Sequence, residues 1–334
     1  MARRERTTAL PRARRRARSD TRPRFLGIPI DETTIRLVIL GGAGALLAIV
    51  LGLIGWHWYS ENFRRPNEVV LTVGNDHVKL RYYSDRMFEF YQANPDTAAA
   101  LNAENLLSKL EEEALSIQLA KDLGITITDD DVTTGIAKAL GVPVGGSGSS
   151  FDTLYRNRLK TTKMSDANYR KMTKAAVAND KLIEYFTKAV GDRGETITLR
   201  SILVDSQEKA DALLLRIKAG EDMGSLAQVE SADLTSRQQD GVMTPVSPEL
   251  LPESLRSATD GKSEGELLGP IQVEKYWWLV RIEKRDPNGG YGDAEKQQLA
   301  QKKLDDALQA KRTQTTSKRS LDASAIDWAT KHAQ

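Results

Sequence analysis

Only three imidazoles, His57, His77 and His332, occur in the 334-residue chain, and there is no cysteine. The missing thiols exclude a disulfide framework, thiol catalysis and thiolate metal sites. Histidines this far apart disfavour a His-rich metal centre or a Ser-His-Asp triad of the usual kind. What remains for chemistry is carboxylates, hydroxyls and aromatic rings. Asp233 sits in Ser231-x-Asp233-x-x-Ser236, where an aspartate ordinarily caps a loop or a helix start. Ser201 falls in an apolar strand-like run, where its plain reading is a small core hydroxyl. Adjacent Trp277 and Trp278 must point to opposite faces of a strand. One packs on a helix, and the other either packs likewise or offers an aromatic surface to a peptide. No Gly-x-x-x-x-Gly-Lys-[Ser/Thr] loop is present. The glycine clusters at 41–44 and 145–148 fall in an apolar run and a polar break. No nucleotide, metal or organic cofactor is therefore expected.

The elements that position these groups begin with a membrane segment. The chain holds 48 basic and 46 acidic residues, +2 overall, but residues 1–36 carry eleven arginines against four acids. Leu37–Ser60 follows with 24 residues and no formal charge. About 20 apolar residues suffice for a helix to cross a ~30 Å hydrocarbon core. Trp56, Trp58 and Tyr59 close the run with rings suited to the interface. The arginine excess on one flank puts the N-terminus in the cytoplasm and residues from about 60 onward outside. A cleaved signal peptide fits less well. Its apolar core is about 7–15 residues and ends at small residues, whereas this run is longer and ends in GWHWYSENF. The tail, residues 1–34, reads as a topogenic flank touching anionic headgroups rather than a nucleic-acid binder.

Beyond the span, Glu68–Leu80 reads as a small hairpin turning at Gly74-Asn75-Asp76, with His77 a solvated turn residue. Helical periodicity covers Arg81–Gln92, Asn102–Leu123, Phe151–Leu159 and Ser165–Val190. Thr128-x-x-Asp131 has the spacing of a capping box and opens a helix to about Leu140. VPVGGSGSS, 142–150, is a flexible break, and GDRGE, 191–195, marks a boundary. Thereafter Thr196–Val204 is strand-like, Ser206–Ala219 and Met223–Val229 helical, and Ser231–Ser247 a polar loop. Glu249–Ala258 reads as a short helix, Leu268–Val273 and Trp277–Glu283 as strands. DPNGGYGD then breaks the chain before helices at Ala294–Lys311 and Ala323–His332.

Six pieces in order within 195–285 resemble a parvulin-type (PpiC) peptidyl-prolyl isomerase domain. They are Arg200-Ser201-Ile202-Leu203-Val204; the helix and turn from Ala210 to Ala227; Ser231-x-Asp233-x-x-Ser236; Leu251-Pro252-Glu253; Gly265–Ile271; and Trp277–Ile282. With its flanks, the chain is similar to membrane-anchored SurA- or PrsA-type foldases. The resemblance implies an α+β protein in which a mostly helical chaperone lobe is built from both chain ends. Into it is inserted a small antiparallel sheet with surrounding helices. The expected parts are a basic cytoplasmic tail at 1–34, a transmembrane helix at 35–60 and a helical N-lobe at 65–190. The isomerase-like domain then takes 195–285, and C-terminal helices at 291–334 pack on the N-lobe.

The chemistry this implies breaks no bond. Rotation about X–Pro meets a barrier of about 18–20 kcal/mol, and an enzyme must bind the twisted amide better than either planar form. The family uses two histidines, a Cys or Asp and hydroxyls around the carbonyl. Here the first-strand histidine position holds Ser201, the last-strand one Trp278, and the acid position Asp233. Asp233 and Ser201 are thus the catalytic candidates. Leu250, Leu251, Leu255, Met243 and Trp278 are the candidates for an apolar substrate groove. The expected function is a foldase of the isomerase family that binds unfolded or nascent exported polypeptides, with an eroded centre. A fully active isomerase and a structural partner of the secretion translocon are the alternatives. Lipid contact falls to residues 35–60.

Overall fold

The computed structural model describes residues 24–25, 28–29, 32–93, 99–143 and 150–333. Most of the basic tail and of the VPVGGSGSS break lies outside the described residues. The chain divides into two compact units, Met1–Arg65 and Pro66–Gln334.

In the first unit, Arg24–Phe25 (β1) pairs with Ile28–Pro29 (β2), and Glu32–Tyr59 forms one helix, α1. Its large apolar side chains from Ile35 to Tyr59 are exposed. No part of its apolar stretch is buried within the protein. Its 28 residues reach about 42 Å at 1.5 Å each. Residues 37–59 of this helix carry no formal charge, and an apolar stretch of that length with no protein core to cover it fits a membrane anchor, because lipid is the solvent that would cover it.

The second unit opens with the hairpin Val69–Val73 (β3) and Asp76–Lys79 (β4). His77 belongs to β4 opposite Thr72, not to the turn. Five helices follow: α2 (Leu80–Ala93), α3 (Ala99–Asp122), α4 (Asp129–Leu140), α5 (Ser150–Thr162) and α6 (Asp166–Val190). The start of α4 carries the reciprocal cap expected of Thr128 and Asp131, and Gly141 ends it in the left-handed conformation. Leu106, Leu107 and Leu110 of α3 and Leu182 of α6 are buried with Val70, Leu71 and Tyr83 in one core.

An isomerase-sized α+β body comes next. Its elements are β5 (Arg193–Val204), α7 (Gln207–Lys218), α8 (Met223–Glu230), the one-turn α9 (Leu234–Arg237), α10 (Glu253–Thr259), β6 (Leu267–Val273) and β7 (Tyr276–Gly290). The sheet is antiparallel in the order β5-β7-β6. Alternation divides its apolar residues between two faces. Ile202, Val204 and Leu279 pack under α7 and α8 with Leu213, Ile217 and Leu226. Ile197, Leu199, Val280 and Ile282 pack with Leu251 and Leu255 on the other face. Trp277 and Trp278 take opposite faces accordingly.

Two segments read as breaks are strand instead. β5 starts at Arg193 inside GDRGE, and β7 runs to Gly290 through DPNGG, pairing Gly194 with Gly289 and Arg193 with Gly290. The register shifts beside Gly194, where Pro287 can lie outside the ladder. Space is tight at the paired Gly289, where a Cβ would sit 2.2 Å from Thr196 Oγ1 and 3.0 Å from Thr196 Cβ.

The chain ends with α11 (Asp293–Gln314), β8 (Ser317–Arg319) and α12 (Ala323–His332). β8 pairs with the free side of β3, giving the order β4-β3-β8. Leu304 and Leu308 of α11 and Trp328 of α12 join the core of the first helices. Arg319 of β8 pairs with Glu111 of α3 at 2.8 Å.

Candidate functional site

The groove-forming loop follows α9. Gly241, at φ 79°, presses the backbone against β5, and the Ser201 N–H donates to the Gly241 carbonyl at 2.8 Å. Met243 N–H donates to Leu199 O at 2.8 Å, and Ile197 and Val246 exchange backbone hydrogen bonds at 2.8 and 3.0 Å. The loop thus runs along the β5 edge of the sheet, bridged to it at Val242 and Val246. Ser247 then starts a single 3-10 turn, Pro248–Leu250, and Pro252 leads into α10.

Between this loop and the first turns of α11 lies a cavity of about 690 Å³. Met243, Pro245, Val246, Leu250, Leu251 and Pro252 supply its apolar surface. Asp233, Ser236, Gln239, Glu295 and Gln298 supply polar groups. α11 is fastened to the rim: Glu295 Oε1 accepts from the Ser247 N–H at 2.6 Å, and Lys303 pairs with Glu249 at 3.2 Å.

Of the seven residues singled out from sequence, Asp233, Met243, Leu250 and Leu251 meet at this cavity. Ser201, Leu255 and Trp278 are not in its lining. Leu255 is fully buried beneath it, and Trp278 is half-buried against the same apolar cluster. Ser201 follows Ile197 and Leu199 on the groove-side face of β5 but is 0% exposed. Its Oγ has no hydrogen-bond partner among the described residues. The Asp233 carboxylate caps α9, accepting from Thr235 N–H at 3.0 Å, Ser236 N–H at 3.4 Å and Ser236 Oγ–H at 2.5 Å. Among the described residues, no cluster of three or more potential metal ligands occurs.

Sequence reading missed Val246, Ala294, Glu295 and Gln298. Pro245 and Pro248 beside Val246 remove any local strand signal. Nothing local to the α11 residues announces a contact with a loop some fifty positions earlier.

A second, polar concavity of about 400 Å³ lies between α3 and α6, lined by Arg86, Glu112, Glu113, Lys109 and Ala175 among others. The Glu113 carboxylate receives the buried Arg86 guanidinium at 2.7 and 2.8 Å. Burial pulls the Arg86 pKa down, but Glu113 and the Tyr82 hydroxyl outweigh it and hold the side chain charged.

Residues 38–183 match the SurA-like N-terminal domain, and residues 202–284 match the PPIC-type PPIASE domain. The chain is 26% identical over 273 residues to the chaperone SurA of Yersinia pestis, covering 70% of this chain and 61% of that protein. It is 28% identical over 185 residues to the foldase protein PrsA 1 of Listeria innocua, covering 54% and 63%. It thus spans about three fifths of the length of these curated relatives. Among solved structures, the peptidylprolyl isomerase PrsA of Bacillus anthracis aligns with a TM-score of 0.43 at 18% identity, over 62% of this chain and 96% of that one.

Proposed function

We propose that this chain, which carries a SurA-like N-terminal domain and a PpiC-type isomerase domain behind an apolar helix, is a membrane-anchored foldase. On this reading it holds unfolded exported polypeptides outside the membrane, and its isomerase chemistry is weak. The observation that carries the reading is the groove itself. Its apolar surface of Met243, Val246, Leu250 and Leu251 is retained, while no histidine occurs anywhere in 195–285. Such a surface gains from covering the apolar side chains of an extended chain. It does not need groups that polarise an amide. The full chain in nonionic detergent micelles should suppress aggregation of an unfolded client at near-stoichiometric ratio. Replacing Met243 and Leu250 together by aspartate should weaken that suppression. No suppression by the parent chain would sink the proposal.

One observation favours a working isomerase as the second reading. The Ser201 hydroxyl is buried without a partner on the groove side of the sheet, and a loop movement that uncovered it would give the amide a donor. A refolding assay limited by a trans-to-cis proline step decides between the two. Acceleration that is lost in Asp233→Ala supports the enzyme, and a rate equal to buffer excludes it.

The same proposal places the N-terminus in the cytoplasm, lipid around residues 35–60 and the isomerase domain at 195–285 outside. Tethering raises the local concentration of the foldase at the membrane, where exported chains emerge. Crosslinking in membranes that captured translocon subunits but no nascent chains would replace the foldase reading with a structural one.

A further inference from the structure

Resting on the reading of this cavity as the groove for extended chain, we propose that it selects segments whose residues beside the proline are cationic or neutral. Acidic flanks are rejected, and α11 supplies the wall that reads them. Among the described residues, the charged groups lining the cavity are Asp233 and Glu295, both carboxylates, and no lysine or arginine lines it. Cations on the neighbouring elements are committed elsewhere. Lys303 pairs with Glu249 on the rim. Lys296 lies between Asp192 and Asp293 at 3.0 and 3.1 Å, and those two carboxylates hold its ammonium above the ordinary lysine range. Arg237 donates to the Gln228 carbonyl.

The two carboxylates also stand in fixed positions. Asp233 is held by the α9 cap and Glu295 by the Ser247 N–H. A fixed pair of like charges beside an apolar surface attracts a lysine or arginine flank and repels a glutamate or aspartate. Glu295 and Gln298 belong to α11, outside the stretch that matches the isomerase family. The selectivity is therefore a property of the composite groove and not of the isomerase domain alone.

The test is fluorescence anisotropy with the full chain in nonionic micelles. Three labelled peptides share one central proline with apolar neighbours and differ only in flanks of Lys, Gln or Glu. An exposed ion pair reaches roughly a fivefold effect, so the Lys peptide should bind about fivefold tighter than the Gln peptide and the Glu peptide more weakly. The arginine-rich tail attracts acidic peptides, so the decisive number is the change in the Lys-to-Glu affinity ratio on substitution. Gln298→Lys should lower that ratio several-fold, Glu295→Gln should lower it in the same direction, and 0.5 M NaCl should compress the wild-type ratio. A ratio unchanged in both variants, with the Gln peptide still bound, overturns the proposal and leaves the groove reading standing. Failure of all three peptides to bind overturns the groove reading and the selectivity with it.

Discussion

Asp131 shows how much one carboxylate can do at the start of a helix. It accepts from the Thr128 N–H at 2.7 Å, its own N–H donates to Thr128 Oγ1 at 3.1 Å, and Lys181 of α6 pairs with it at 2.7 Å. Lys181 and the two Thr128 donors hold its pKa at about 2. A carboxylate depressed in the folded state contributes stability above its unfolded pKa of about 3.9 and loses it as pH falls through the folded value. Thermal melts should therefore show a loss between about pH 4 and pH 2 that Asp131→Asn reduces. Asp233 also works as a cap. Asp233→Ala should cost about 1 kcal/mol in a denaturant titration. It should leave aggregation suppression in place if the chaperone reading is right. The capping roles of Thr128 and Asp131 were legible because both partners lie within four residues of each other. That Ser201 is buried without a partner was not, because burial depends on what the loop at Gly241 covers.

At the scale of elements, the groove depends on how tightly the loop from Gly241 to Pro252 hugs β5. A Cβ on Gly241 would lie 2.6 Å from the Ser201 carbonyl oxygen and 2.7 Å from Ala227 Cβ, at φ 79°. Strained backbone and a steric clash combine there, so Gly241→Ala should destabilise by roughly 2 kcal/mol or more. It should also weaken peptide binding by misplacing Met243. Leu255 anchors the other end of the groove from beneath. Leu255→Ala should cost about 2–5 kcal/mol in the same titration, since the side chain is wholly enclosed. Periodicity locates the main helices of this region, but the glycine-rich stretches GDRGE and DPNGGYGD carry turn-like composition where the fold has paired strand through Arg193–Gly194 and Gly289–Gly290. Each is a poor strand alone. Their pairing is decided by facing residues nearly a hundred positions apart: Arg193 side-chain N–H groups donate to Asn288 O, and Tyr291 N–H donates to Asp192 O at 2.9 Å.

For the whole molecule, the closing helices and β8 complete a core begun by the β3–β4 hairpin. Trp328 is 3% exposed among Tyr83-side residues of that core, and Ser84 Oγ–H donates to the Ala329 carbonyl at 3.0 Å. Trp328→Ala should cost about 3–5 kcal/mol. Limited proteolysis should then cut α2, far from the substitution in sequence but beside it in space. The apolar helix α1 gives a separate expectation. The full chain should stay with membranes through an alkaline carbonate wash, and externally added protease should spare the arginine-rich tail.

The sequence by itself determined the α+β class, the long apolar helix, most of the later helices and the isomerase-like order of strands and helices. The apolar helix and the caps rest on local spacing, uncharged runs and periodicity, whereas the α+β class and the isomerase-like order rest on the resemblance of the six ordered pieces within 195–285. Tertiary structure alone decided which apolar residues form an open groove and which lie beneath it, and it gave that groove a wall from α11. It also decided that β8 completes the sheet begun by β3. These outcomes depend on contacts between residues distant along the chain, where side-chain shape and hydrogen-bond pairing act with no trace in the local pattern.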